Sequence, residues 1–96
     1  MSTWFVSRHE GAVAWMKQQP VDIDHWCSHL EISLIKKGDI VIGVLPMNLA
    51  AEVCAKGARF YALSFSVNAA MRGKELTKEV LNDLHCTLTR YEVKKA

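Results

Sequence analysis

The chain has few residues that break or staple a fold. Its 96 residues include two prolines, five glycines and three cysteines. That scarcity, beside 50% apolar and 23% charged residues, excludes collagen-like and disordered chains. No apolar stretch reaches the ~20 residues a membrane-spanning helix requires. The longest begins at Ile40 and is interrupted by Gly43. The opening residues, MSTWFVSRHE, lack a basic segment followed by an apolar one. A signal peptide is therefore not expected, and the chain is expected to be soluble and cytoplasmic. Cys27, Cys54 and Cys86 are odd in number and form no CxxC pair, so reduced thiols are expected rather than a disulfide framework.

Neither sign of charge dominates. Twelve Lys and Arg stand against ten Asp and Glu, a net charge of +2. Holding a long duplex through many phosphates calls for more positive charge, arranged in a stripe. A small anion needs only a few well-placed groups. GxGxxG is absent, and so is GxxxxGK followed by Ser or Thr, which disfavours standard dinucleotide and Walker-type sites. There is no repeat, low-complexity segment or linker, so residues 1–96 read as a single domain. A domain this small buries a modest share of its surface, and self-association is expected to cover more.

What is present is an alternation of strand and helix signals. Thr3–Ser7 is β-rich and apolar on both faces, as in a central strand. Ser7-x-x-Glu10 fits a capping box, and Ala12, Val13, Trp15 and Met16 form a helical stripe that Pro20 ends. Residues 21–30 alternate as a half-buried strand would, and Lys37-Gly38-Asp39 signals a turn. Ile40–Leu45 is the clearest strand. Pro46 then suits the first helical position, Leu49, Ala50, Val53 and Cys54 the buried stripe, and Gly57 a left-handed cap. Arg59–Ser66 is a further strand, with Phe60, Ala62 and Ser64 on one face and Tyr61, Leu63 and Phe65 on the other. A loop over Asn68–Leu76, a short helix from Thr77 to Leu84 and an edge strand over Cys86–Val93 complete the chain. The pattern predicts a small Rossmann-like α/β domain of three layers, with a mostly parallel sheet of about five strands.

In such sheets ligands bind beyond the carboxyl ends of the strands. That rule selects Ser7-Arg8-His9, then Leu45-Pro46-Met47-Asn48, then Ser64 through Arg72-Gly73. A helix N-terminus favours an anion, Arg8 adds a fork of donors, and His9 can donate a proton near neutral pH. Asn48 can bond a base or a ribose hydroxyl, and Arg72 and Lys74 can clamp phosphates. The plainer alternative has Ser7 capping a helix, with Arg8, His9, Asn48 and the Arg72 loop solvated. His25, Cys27 and His29 are of zinc-ligand type, but their spacing is poor for a structural zinc module, and a polar strand face is preferred. Asp22 and Asp24 fall at the start of a strand and read as structural. Trp4, Trp15 and Trp26 read as core or interface.

Four segments carry a family likeness. They are Thr3-Trp4-Phe5-Val6-Ser7-Arg8-His9-x-Gly11-Ala12, the stretch from Gly38-Asp39 through Gly43-x-Leu45-Pro46 to Val53-Cys54, Gly57-Ala58-Arg59, and Arg72-Gly73-x-Glu75-Leu76. Together they resemble a family of small stand-alone CRISPR-associated proteins, the Csx group that accompanies type III systems. The likeness covers most of residues 3–76 and little of the remainder. It implies a CARF-related, Rossmann-like domain that binds cyclic oligoadenylate at the two-fold interface of a homodimer. It further implies a ring nuclease acting on cyclic tetra-adenylate, which switches off type III antiviral signalling; cleavage by attack of a ribose 2′-hydroxyl is expected to need no metal or other cofactor. The positions carried over are Ser7, Arg8, His9, Pro46 and Arg72-Gly73. Catalytic roles are expected at Ser7, Arg8 and His9. Ligand contacts are expected at Pro46, Met47, Asn48, Ser64, Ser66, Arg72 and Gly73. A binding-only sponge and a metal-dependent phosphodiesterase using His25, Cys27 and His29 stay open, and a nucleic-acid-binding accessory protein is a weaker third class.

Overall fold

A computed structural model describes residues 1–64 and 86–96. Its elements are β1 (Thr3–Val6), α1 (Glu10–Lys17), β2 (His25–Cys27), a 3-10 turn at Ile32–Leu34, β3 (Ile40–Gly43), α2 (Met47–Ala55), β4 (Arg59–Ser64) and β5 (Thr87–Tyr91). They build a five-stranded sheet in the order β2-β1-β3-β4-β5. The first four strands run parallel, and β5 pairs antiparallel with β4 at an edge. The expected mostly parallel α/β sheet is thus observed. The Asn68–Leu76 loop and the Thr77–Leu84 helix lie outside the described residues.

The order explains the layering. From β1 the chain crosses outward to β2, and from β3 it crosses the other way to β4. Crossovers between parallel strands keep one hand, so opposite directions place the two helices on opposite faces. Strand alternation supplies an apolar surface to each. Phe5, Ile42 and Leu63 pack with Ala12, Trp15 and Met16 of α1. Val6, Val41 and Phe60 pack with Ala50 and Val53 of α2. The register aligns Trp4 with Val41 and Phe60 on one face, and Phe5 with Ile42 and Tyr61 on the other. Burying a side chain such as Phe5 or Met16 stabilises by roughly 2–3 kcal/mol.

Several boundaries differ from the sequence expectation. The strand expected over 21–30 is only three residues long, and just before it the Asp24 carboxylate accepts the Thr3 N–H at 2.7 Å. The strand expected over Ile40–Leu45 stops at Gly43, whose φ of 153° turns the chain. A Cβ there would lie 2.3 Å from the Val6 carbonyl oxygen, so the close approach of β3 to β1 requires glycine. Pro46 is the N-cap of α2 rather than its first helical residue, with an extended ψ of 147°. The capping box is not formed. His9 occupies the N-cap of α1, and the Ser7 hydroxyl instead accepts the His9 N–H at 3.1 Å. Gly57 does adopt the left-handed conformation after α2, with φ 84°.

Asp39 anchors the amino-terminal edge of the sheet. It is 4% exposed, and its carboxylate accepts the N–H groups of Ser2 at 2.9 Å and Lys36 at 3.0 Å and the Trp4 indole N–H at 3.3 Å. Burial works to raise its pKa, but these donors and the chain's terminal ammonium outweigh it and hold the carboxyl below its ordinary value.

Candidate functional site

A doubly wound sheet leaves a crevice where two neighbouring strands send their connections in opposite directions. In this order those neighbours are β1 and β3. A cleft of about 470 Å³ opens at their carboxyl ends. Its residues come from the segment after β1 (Ser7, Arg8, His9), the segment after β2 (Ser28, His29, Leu30) and the segment after β3 (Val44, Leu45, Pro46). Ala12 of α1, Leu49 of α2 and Leu63 of β4 add apolar wall.

Local structure aims the polar groups. The Ser7 N–H donates to the Cys27 carbonyl at 3.0 Å, which continues the β1–β2 ladder one residue beyond the strand. The Ser7–His9 bond then turns the chain into α1. The His9 carbonyl accepts the Val13 N–H at 3.1 Å, so the amides of the first helical turn are left for other acceptors. With the helix dipole they put partial positive charge beside the cleft. The Pro46 carbonyl likewise accepts the Ala50 N–H at 3.0 Å at the start of α2. Arg8 reaches across from the end of β1 to that of β2, its Nη2 lying 3.1 Å from His29 Nδ1. A guanidinium only donates, so Nδ1 accepts and the ring proton sits on Nε2. The result is a lip of one guanidinium, two imidazoles and two hydroxyls against apolar walls. The walls suit the face of an aromatic base, and the lip suits a phosphate.

Ser7, Arg8, His9 and Pro46 are therefore brought together, as the strand-end rule requires. Met47 and Asn48 are not part of this cleft. They line a separate groove of about 770 Å³ between the outer face of α2 and residues 92–95. The reason is helical geometry: Ala50 and Val53 face the sheet, which turns Met47, 77% exposed, and Asn48 outward. Ser64 ends β4 opposite Thr87 and does not line the cleft, although Leu63 does. Ser66, Arg72 and Gly73 lie outside the described residues. The sequence offers His29 only as a possible zinc ligand and Ser28 not at all, whereas both line the cleft. Their signal was their place just after a strand, and it was obscured because that strand is so short.

The possible zinc trio does not converge. His25 stacks on Trp4 with ring centroids 4.0 Å apart, the Cys27 thiol donates to the Phe5 carbonyl at 3.6 Å, and His29 pairs with Arg8. Among the described residues no group of three His, Cys, Asp or Glu side chains could hold a metal ion. All three cysteines are free thiols, and burial pushes those of Cys27 and Cys86 up. A raised thiol stays protonated at neutral pH and is a poor nucleophile. Among the described residues no helix is long and apolar enough to cross a membrane.

No curated protein and no solved structure matches the chain. A family model described as "Putative CRISPR-associated protein (Cas_VVA1548)" matches residues 4–94. That span runs from β1 to beyond β5 and takes in every residue of the cleft. The chain accordingly belongs to the Cas_VVA1548 family, the family carrying that CRISPR-associated description.

Proposed function

We propose that the chain is a ring nuclease that binds cyclic oligoadenylate, cyclic tetra-adenylate foremost, and cleaves it without a metal ion to end type III CRISPR signalling. The observation that carries this reading is the cleft at the β1/β3 switch point, where Arg8, His9 and Ser7 face apolar walls. Membership of a CRISPR-associated family supports it, and the resemblance of the motifs to the Csx group supplies the substrate class. A ring of four nucleotides exceeds a 470 Å³ cleft. A two-fold pair of chains presents each cleft residue twice and matches the symmetry of such a ring.

The chemistry requires no external water in its first step. A ribose 2′-hydroxyl gives up its proton to solvent and attacks the adjacent phosphorus. The bond to the 5′-oxygen breaks, leaving a 2′,3′-cyclic phosphate and, once the 5′-oxygen takes a proton, a free 5′-hydroxyl. Ser7 orients the 2′-hydroxyl, since its Oγ accepts from His9 and keeps its own hydrogen to donate. Holding the attacking oxygen in line contributes several kcal/mol. Arg8 and the first-turn amides of α1 stabilise the charge that develops on the phosphorane. His9 protonates the leaving oxygen, an effect of about 10²-fold.

The test is incubation of purified protein with cyclic tri-, tetra- and hexa-adenylate in EDTA, with products resolved by chromatography. Linear products ending in cyclic phosphate are expected. Tight binding without linear product after long incubation would make the chain a sponge. Activity that appears only on adding a divalent metal would overturn the metal-independent mechanism.

A further inference from the structure

We propose that His29 is a positioning residue that holds the Arg8 guanidinium toward a bound phosphodiester, acting as a hydrogen-bond acceptor through Nδ1. The inference rests on the nucleotide reading of the cleft and deepens it. Arg8 is exposed and long, and an unrestrained guanidinium on such a stem samples many rotamers. Its Nη2 is held at 3.1 Å by His29 Nδ1, across two adjacent strand ends. One donor of the fork is used in that contact, and the others remain for phosphate oxygens. An acceptor on a carboxylate would hold Arg8 more tightly but would neutralise it. A neutral imidazole orients the cation and leaves its charge for the ligand.

No Asp or Glu lines the described cleft, so the imidazole has no carboxylate competing with it there for the Arg8 guanidinium.

Three variants separate positioning from bulk and from proton donation. Asn keeps an acceptor near the place of Nδ1, whereas Ala and Phe offer no acceptor. With cyclic tetra-adenylate as the probe, His29→Ala and His29→Phe are expected to weaken binding about tenfold. His29→Asn is expected to recover most of that loss. Imidazole nitrogen resonances of the unliganded protein are expected to show Nδ1 bare and Nε2 protonated, a preference that Arg8→Ala releases. Binding unchanged in His29→Ala, or a proton found on Nδ1 at neutral pH, would overturn this inference alone. No binding of any ring by the parent chain would overturn the nucleotide reading, and this inference with it.

Discussion

Arg8 and His9 are adjacent in the chain yet face the cleft under different constraints. Arg8 is tied to His29, whereas the described bonds of His9 are main-chain ones, its N–H to Ser7 and its carbonyl to Val13. Arg8→Ala is expected to weaken both binding and turnover of cyclic tetra-adenylate. His9→Ala is expected to lower turnover about 10²-fold while changing the Kd little, as suits a group that acts on the leaving oxygen. Product chromatography and equilibrium binding, run side by side, check the split. At the opposite edge, Asp39 sets an acid sensitivity. Its folded pKa is below its unfolded one, so it contributes stability fully above the unfolded value and loses that contribution as pH falls through the folded value. The loss is expected below about pH 4. Asp39→Asn turns an amide toward existing donors and is expected to cost about 1–3 kcal/mol at neutral pH. Urea denaturation of parent and variant should converge as the pH is lowered toward 3, by the same linkage.

Among the elements, the junction of β1 and β3 bears most directly on the cleft. Gly43 faces Val6 across it, with no room for a Cβ. Gly43→Ala is expected to destabilise by about 2 kcal/mol or more and to reduce ligand affinity, since both cleft-forming segments leave from that point. Gly57→Ala provides the contrast. Its added Cβ would meet the flexible Lys37 side chain at 3.0 Å, so the expected cost is the left-handed backbone itself, about 1–2 kcal/mol, with affinity preserved. Denaturation midpoints and binding measured on both variants check the pair. The helices and central strands were legible because their apolar periodicity is driven by burial on two faces. The start of α1 was not. Ser7 and Glu10 have the spacing of a capping box, but Ser7 is drawn into the ladder with Cys27, and His9 takes the cap.

For the molecule as a whole, the proposed function requires two copies. Under the proposed function, one cleft of about 470 Å³ takes part of a cyclic tetranucleotide and the cleft of a two-fold mate takes the rest. Calorimetric titration with cyclic tetra-adenylate is expected to give one ring per two chains. Sedimentation should show a dimer in the presence of the ring. A stoichiometry of one ring per chain, with a monomeric complex, would remove the two-fold arrangement. The net charge of +2 suits the proposed small anionic ligand, since Arg8 is the one Lys or Arg lining the described cleft.

The amino-acid sequence alone determined the α/β class, both faces of the central strands, the two described helices and the strand ends beside which the cleft opens. These follow from local periodicity and from turn chemistry, which neighbouring residues settle among themselves. It also carried Ser7, Arg8, His9 and Pro46 to one rim. Only the tertiary structure decided the strand order, and with it the crevice between β1 and β3. It alone brought His29 to Arg8 from 21 residues away and turned Met47 and Asn48 to a different surface. Those outcomes depend on pairing and register between segments far apart in the chain, which no local pattern encodes.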